Sequence, residues 1–299
     1  MKTKVSGYVM KRALMILAVL CIGSLSGCGT ENSAEEKQLV GDTGQEYQPL
    51  ETEEAVMKNV DYSVEFDGVS GCAVIYHPQD HLFEVYNREM CEKQASPCST
   101  FKIISALMGL KNHVIEDENS TMNYDGTQYP SADWNGHLSL QQAFGTSCIW
   151  YFRQVIDAVG QDEVKRELEQ LKYGNCDIDQ WEGSDVNPLP DLNGFWLESS
   201  LEISPMEQVR VIADIFEGNS IYDRKDINVL KKIMQMEDGG SIYGKTGTGA
   251  DGESWFVGFE ERGDRNVYFA VYLNDAQNRE RVSGVRAKEI AQSIVSQAG

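Results

Sequence analysis

Two side chains three positions apart, Ser99 and Lys102, could act as a nucleophile and its base. They lie in the stretch Ser-Pro-Cys-Ser-Thr-Phe-Lys at 96–102, directly before an apolar run at 103–110. A serine hydroxyl becomes a good nucleophile when a neighbouring base takes its proton, and burial can keep a lysine amine neutral and basic. A simpler interpretation is that Ser99 is a helix N-cap, that Pro97 suits the start of that helix, and that Lys102 is an exposed charge.

Two more short motifs follow along the chain and change the balance between these interpretations. The first is Ser147-Cys148-Ile149 and the second is Lys245-Thr246-Gly247. Each motif is weak by itself. The predicted elements place the three motifs, in order, at a helix start, in a helical region and on a strand, and that combination favours a catalytic serine.

In this order the motifs resemble the signature elements of the penicillin-recognising serine enzymes. More narrowly, the chain is similar to class D serine β-lactamases. The stretches that match that class are Ser99–Lys102, Tyr173–Asn175, Phe195–Leu197, Tyr243–Gly247 and Trp255–Gly258. The resemblance extends from about Cys72 to the C-terminal helix, which is most of the chain.

The resemblance implies a function and a chemistry for the serine and lysine. The function is hydrolysis of β-lactams through an acyl intermediate on Ser99. Lys102 is implied to carry a carbamate formed from CO2 and to serve as the general base, with Trp196 donating its indole N–H to the carbamate. Ile149 replaces a more usual valine and should keep the pocket dry. No other cofactor and no metal ion is expected.

The resemblance also assigns the groups that bind the substrate. Ser147 is implied to relay a proton to the leaving nitrogen, and Lys245 to support it electrostatically. The backbone N–H groups of Ser99 and Thr248 should form the oxyanion hole. The substrate carboxylate is expected to bind Thr246 and Arg286 by charge-assisted hydrogen bonds. Arg279 and Arg281 lie near Arg286 in the sequence, so the assignment to Arg286 among the three arginines stays open. The predicted substrate-binding set is thus Lys245, Thr246, Gly247, Thr248 and Arg286.

Three alternatives to class D hydrolysis can be weighed on the sequence. Class A enzymes carry a glutamate directly before Pro-x-Leu-Asn, and here Leu189 holds that position before Pro190, so class A is disfavoured. A β-lactam sensor that acylates and stays acylated would use the same motifs, as would a peptidoglycan DD-peptidase. These last two alternatives stay open.

The elements that must position these residues suggest an α+β fold. Strands are predicted near both ends: a hairpin of 72–76 and 82–86, and three antiparallel strands at 241–245, 254–259 and 267–273. Helices are predicted at 100–111, 140–152, 161–171, 204–216 and 286–297, the fourth beginning with a Ser204 capping box. Residues 173–194 form a predicted long loop. We therefore expect one antiparallel sheet built from distant segments, flanked by helices, with a mostly helical inserted lobe.

The N-terminal residues have the pattern of an export signal. A basic segment precedes an apolar stretch at 13–23 that is too short to span a bilayer. Leu25-Ser26-Gly27-Cys28 then resembles a bacterial lipobox, which implies cleavage before Cys28 and lipidation of its thiol. An ordinary secretory signal or a short anchor is the alternative, and Met10 is an alternative start. We predict a signal peptide at 1–27, a flexible acidic stalk at 28–55 and a catalytic domain at 56–299.

The composition limits the partners. The 299 residues are 41% hydrophobic and 24% charged, as in globular proteins, and the formal net charge is −21. Such a charge argues against nucleic acid and anionic membrane surfaces, which would be repelled. The expected partners are a small β-lactam and, through the lipid on Cys28, the cell envelope, either in the periplasm or on the outer face of the cytoplasmic membrane.

The cysteines of the predicted mature domain do not form a recognisable framework. Their number is odd, and their spacing is neither that of a disulfide scaffold nor that of a zinc site. One disulfide involving Cys91 or Cys98 stays open. The cysteines concerned are Cys72, Cys91, Cys98, Cys148 and Cys176.

Overall fold

The computed structural model describes residues 55–185, 187–236, 239–250 and 252–297. The predicted signal peptide, the lipidation candidate Cys28 and all but the last residue of the predicted stalk lie outside these ranges. Within the described ranges, every helix is too short or too polar to span a bilayer. The cysteines of the described chain are all free thiols.

A six-stranded sheet forms the centre of the described fold. The strands are β1 Val56–Asn59, β2 Gly71–His77, β3 Leu82–Tyr86, β4 Ile242–Thr248, β5 Glu253–Arg262 and β6 Arg265–Asn274. Their order in the sheet is β1-β3-β2-β6-β5-β4. The N-terminal and C-terminal halves of the sheet meet where β2 pairs with β6, with Val74 opposite Ala270. The predicted α+β fold, with one sheet drawn from both ends of the chain, is confirmed.

One edge of the sheet differs from the prediction of purely antiparallel pairing. β1 runs parallel to β3, with Val56 opposite Leu82, so the sheet is mixed. Parallel neighbours need a long connection, and here the connection includes a short helix and the whole of β2. The hairpin of β2 and β3 is antiparallel as predicted, with Val74 opposite Val85.

Alternate residues of the strands face two different layers of helices, as the period-two geometry of a strand requires. One face, which includes Phe256, packs against the C-terminal helix, and the other, which includes Trp255, packs against the larger helical lobe. The helices are α1 Ser63–Phe66, α2 Arg88–Cys91, α3 Lys102–Lys111, α4 Leu140–Gly145, α5 Ile149–Val159, α6 Gln161–Leu171, α7 Pro205–Phe216, α8 Arg224–Met234 and α9 Gly284–Gln297.

Local signals predicted most helix boundaries. The Ser204 capping box is present, with the Ser204 hydroxyl accepting from the Glu207 N–H at 3.2 Å. The single helix predicted over 140–152 is wrong, because the chain breaks into α4 and α5 around Ser147, whose φ is 58°. A left-handed conformation cannot continue a right-handed helix. Helix α8 was not predicted.

Candidate active site

Ser99 lies in a tight 3-10 turn, Cys98–Phe101, that leads into α3. Its Oγ accepts a hydrogen bond from Lys102 Nζ at 2.9 Å. The expectation that Ser99 is also a helix N-cap is wrong, because no side chain caps this turn or α3. The hydroxyl is aimed at the amine instead. Cys98, just before it, has a φ of 48°, a backbone strain of the kind that concentrates at active sites.

Lys102, the first residue of α3, is 0% exposed. Its Nζ lies 5.7 Å from the centre of the Phe152 ring. Burial, with a smaller contribution from the charge of Lys245, lowers the pKa of Lys102 to about 7. No carboxylate of the described chain pairs with the Lys102 amine, so no ion pair stabilises its charged form. A large fraction of the amine is therefore neutral at neutral pH.

Lys245 on β4 approaches the same place from the sheet. It is 5% exposed, and burial lowers its pKa to about 8. Its Nζ lies 5.7 Å from the Phe144 ring, and that ring packs against Phe152 with the centroids 6.3 Å apart. The two phenylalanines belong to α4 and α5, so both lysines converge on the junction between these helices.

Ser147 occupies that junction. Its left-handed backbone turns the chain between α4 and α5, and Ile149 begins α5. The Ser147 Oγ is buried and has no hydrogen-bond partner among the described residues. Buried hydroxyls are normally paired, so Ser147 is available to a bound molecule.

The Trp196 indole forms another buried donor beside the serine turn. Trp196 is 0% exposed and packs against Phe101 and Phe195, with ring centroids 5.6 and 5.0 Å away. Its Nε1–H has no acceptor within the described chain. Leaving a buried indole N–H without an acceptor lowers the stability of the folded protein. The Trp196 N–H is therefore available to donate a hydrogen bond to a bound group.

Strand β4 lies directly against the serine turn because residue 247 is glycine. A Cβ built on Gly247 would be 3.1 Å from the Pro97 carbonyl oxygen and 3.2 Å from Thr100 Cγ2. On its other side, β4 meets the start of α9, where a Cβ on Gly284 would be 2.8 Å from Thr246 Cβ. Thr248, next along β4, is exposed. The motif thus places Thr246 and Thr248 at the edge of the site.

Gly247→Ala is expected to push β4 away from the serine turn. The new methyl would meet a backbone oxygen, which cannot rotate out of the way, so we expect a loss of about 1–3 kcal/mol of stability. Acylation of Ser99 should slow by about tenfold or more because the oxyanion site opens. Thermal melting and single-turnover acylation measure the two effects. Gly136→Ala would serve as the control, because a Cβ there would have no atom within 4 Å.

The Arg286 side chain contacts α1 and its own helix. Its guanidinium donates to the Glu65 carbonyl at 2.9 Å and pairs with Glu289 at 3.4 Å. These contacts hold it against α1. The binding of a substrate carboxylate by Arg286 stays a prediction.

Several buried polar residues that support the site were not predicted. The Gln208 amide on α7 donates to Thr100 Oγ1 at 2.8 Å, and Thr100 donates to the Pro97 carbonyl at 2.7 Å, which braces the serine turn from behind. The Ser96 hydroxyl donates to the Trp196 carbonyl at 3.0 Å. A signal existed for Gln208, since it shares an apolar helix stripe with Val211 and Ile215.

Comparisons with known proteins agree with this arrangement. Residues 71–296 match the family of the penicillin binding protein transpeptidase domain. The regulatory protein BlaR1 of Bacillus licheniformis is 34% identical over 80% of this chain and 39% of its own length. The probable β-lactamase YbxI of Bacillus subtilis is 30% identical over 97% of this chain and 98% of its own length.

Solved structures give the same two kinds of relative. A class D β-lactamase from Bacillus subtilis superposes with a TM-score of 0.70 at 31% identity, covering 80% of this chain and 95% of that one. The C-terminal domain of the Bacillus licheniformis BlaR penicillin-receptor superposes with a TM-score of 0.71 at 31% identity, covering 82% and 97%.

The fold and the site define an α+β protein with a serine and a buried lysine at the start of a core helix. The chain belongs to the penicillin binding protein transpeptidase domain family. Its relatives in that family include both class D β-lactamases and BlaR1 regulatory proteins. It spans 39% and 47% of the length of the two BlaR1 proteins that it matches.

Proposed function

We propose that this protein hydrolyses β-lactams through a covalent acyl intermediate on Ser99. The observation that carries the proposal is the hydrogen bond between Ser99 Oγ and the fully buried Lys102 amine, 2.9 Å long. Lys102 takes the hydroxyl proton as Oγ attacks the lactam carbonyl. The carbon–nitrogen bond of the ring then breaks. The Ser147 hydroxyl gives its proton to the leaving nitrogen and takes the proton held at Lys102, which leaves Lys102 free to act as a base again.

Deacylation returns the enzyme to its starting state. A water molecule gives a proton to the base at Lys102 and attacks the acyl ester, and the ester bond to Ser99 breaks with the proton returning to Oγ. Backbone N–H groups of Ser99 and Thr248 stabilise the oxyanion in both steps. Lys245 contributes positive charge beside Ser147, and Thr246 offers a hydroxyl to the substrate carboxylate.

The residues of the site fit a carbamate on Lys102. Its neutral amine is the form that adds CO2. The Trp196 Nε1–H, which has no acceptor among the described residues, could donate to the carbamate. When present, the carbamate would supply a carboxylate-like general base. Trp196 would hold it by a hydrogen bond, and Ile149 and Phe152 would keep water from solvating it.

Export and lipidation complete the proposal. Cleavage before Cys28 and lipidation of its thiol would tether the domain to the cell envelope, where β-lactams arrive before reaching their targets. Labelling of the full chain with a radioactive fatty acid, lost in Cys28→Ala, tests this part independently of catalysis.

A β-lactam receptor is the second candidate, and the similarity to BlaR1 favours it. The two functions differ in deacylation alone. Mixing the purified protein with a large excess of a chromogenic cephalosporin should give many product molecules per protein molecule. Product that stops at one equivalent, with a stable adduct on Ser99 in the intact mass, would replace hydrolysis by the receptor function.

Acylation is expected to follow a bell-shaped pH profile. Below pH about 7 Lys102 is protonated and cannot accept the Ser99 proton, because burial lowers its pKa to about 7. Above pH about 8 Lys245 loses its charge, because burial lowers its pKa to about 8. Because the two lysines interact, the two apparent pKa values of the profile belong to the pair and not to either residue alone. Single-turnover rates between pH 5 and 10 measure both limbs, and an acid limb near pH 10 would contradict this assignment.

A further inference from the structure

A run of hydrogen bonds outside the catalytic set links the serine turn to the loop that carries Trp196. The Ser96 hydroxyl, which is buried, donates to the Trp196 carbonyl at 3.0 Å and accepts from the Glu198 N–H at 2.9 Å. The Ser96 carbonyl accepts from the Trp255 indole on β5 at 3.0 Å. Ser96 therefore fixes this loop to the segment that delivers Ser99.

The same run continues from the loop to the end of β4. The Glu198 carboxylate accepts a hydrogen bond from the Ala250 N–H at 2.6 Å. Ala250 lies in the turn that follows Thr248, and a Cβ on Gly249 would be 3.2 Å from Glu198 Oε1. Glu198 therefore touches the turn on which the Thr248 N–H depends.

Two details indicate that Glu198 is held for this contact. Its φ is 49°, a left-handed conformation that a glutamate adopts only when its surroundings impose it. The other nearby carboxylate, Glu253, is used differently, since it accepts from the Tyr272 hydroxyl at 2.8 Å and the Asn274 amide at 3.0 Å. Glu253 stabilises the sheet, whereas Glu198 connects the loop that carries Trp196 to the turn between β4 and β5.

We propose that Glu198 is a positioning residue that, with Ser96, clamps the β4–β5 turn against the serine turn and so sets the oxyanion site. The clamp consists of Ser96, Glu198 and the Ala250 N–H. It rests on the proposed acylation of Ser99, and it acts on acylation whether the protein is an enzyme or a receptor. The Glu198 side chain has the length needed to accept a hydrogen bond from the Ala250 N–H, and its negative charge is not required for this role.

The expected size of the effect follows from the sensitivity of oxyanion sites to geometry. Misplacement of a catalytic group by about 1 Å can lower a rate by about 10²-fold, and loss of a whole oxyanion donor lowers it by about 10²–10³-fold. Glu198→Ala keeps the Thr248 N–H but removes the contact that holds the following turn in place. We therefore expect acylation to slow by about 10- to 100-fold.

Intact-mass kinetics of acylation by a penicillin, with the variants Glu198→Ala, Glu198→Gln and Glu198→Asp, test the clamp. Glutamine keeps an acceptor at the same reach and should stay within about threefold of wild type. Aspartate keeps the charge but is shorter, and should resemble alanine. Glu202→Ala, an exposed position in the same segment, is the matched control. The acid limb of the pH profile should not move in any variant, because Lys102 is untouched.

The outcomes separate the clamp from the proposed function. Wild-type protein that neither gains an adduct nor turns the penicillin over overturns both. Wild-type acylation with Glu198→Ala equally fast, or with aspartate active and glutamine inactive, overturns the clamp alone. Ser96→Ala and Glu198→Ala combined should lose less than the product of their separate effects, since they break one linkage. Independent effects would contradict the role of Ser96 in it.

Discussion

Lys102→Ala is expected to lower β-lactam turnover by at least about 10³-fold, while the fold is retained. Lys102 is the one base within hydrogen-bond reach of Ser99 Oγ in the described chain, at 2.9 Å. Alanine leaves the Ser99 hydroxyl without a proton acceptor. Turnover of a chromogenic cephalosporin measures the loss, and circular dichroism checks the fold.

The control for this change is Lys225→Ala, which removes an exposed lysine at the start of α8. It should leave turnover unchanged. If Lys102→Ala instead retained more than about a tenth of wild-type turnover, a different group would have to be the base, because general-base contributions are typically 10²- to 10⁴-fold.

Trp196→Phe is expected to lower turnover by about 10- to 100-fold in buffer equilibrated with air, with much of the loss recovered by added bicarbonate. Phenylalanine keeps aromatic packing against Phe101 but removes the buried Nε1–H that has no acceptor within the described chain. Without that donor, a carbamate on Lys102 would lose a hydrogen bond to a charged oxygen. More CO2 would then be needed to maintain it.

The proposed carbamate on Lys102 can also be detected without measuring activity. Carbon-13 NMR with labelled bicarbonate should show a carbamate signal in the wild type that is weaker in Trp196→Phe and missing in Lys102→Ala. Trp181→Phe is the matched control, because Trp181 also packs against Phe195 but donates its N–H to Asp157 at 3.1 Å. A bicarbonate response identical in the wild type and Trp196→Phe would contradict a role for the Trp196 N–H.

The sequence predicted the parts of this molecule that depend on local patterns. Short β-branched and aromatic runs bounded by turn residues predicted the strands at both ends of the chain, and the Ser204 capping box predicted the start of α7. The resemblance of the three motifs to the penicillin-recognising serine enzymes implied that they meet, and the structure brings together the serine turn, the α4–α5 junction and β4.

The remaining features depend on contacts between distant segments. The parallel pairing of β1 with β3 is set by how the chain crosses the sheet, which the strand's own residues do not encode. The break at Ser147 interrupts an apolar pattern that continues on both sides. Likewise, Arg286 was assigned from its place in the sequence, but the carbonyl of Glu65, 221 positions away, binds its guanidinium.

Activation of Ser99 depends on Lys102 being a buried amine with the basicity needed to accept the hydroxyl proton. Titration of lysine side chains by heteronuclear NMR in CO2-free buffer, with the Lys102 signal assigned by its absence in Lys102→Ala, tests this directly. We expect a midpoint for Lys102 near pH 7, because burial and Lys245 lower its pKa to about 7. A midpoint near that of an ordinary lysine, about 10.4, would mean that Lys102 is charged at neutral pH and would contradict its role as the base.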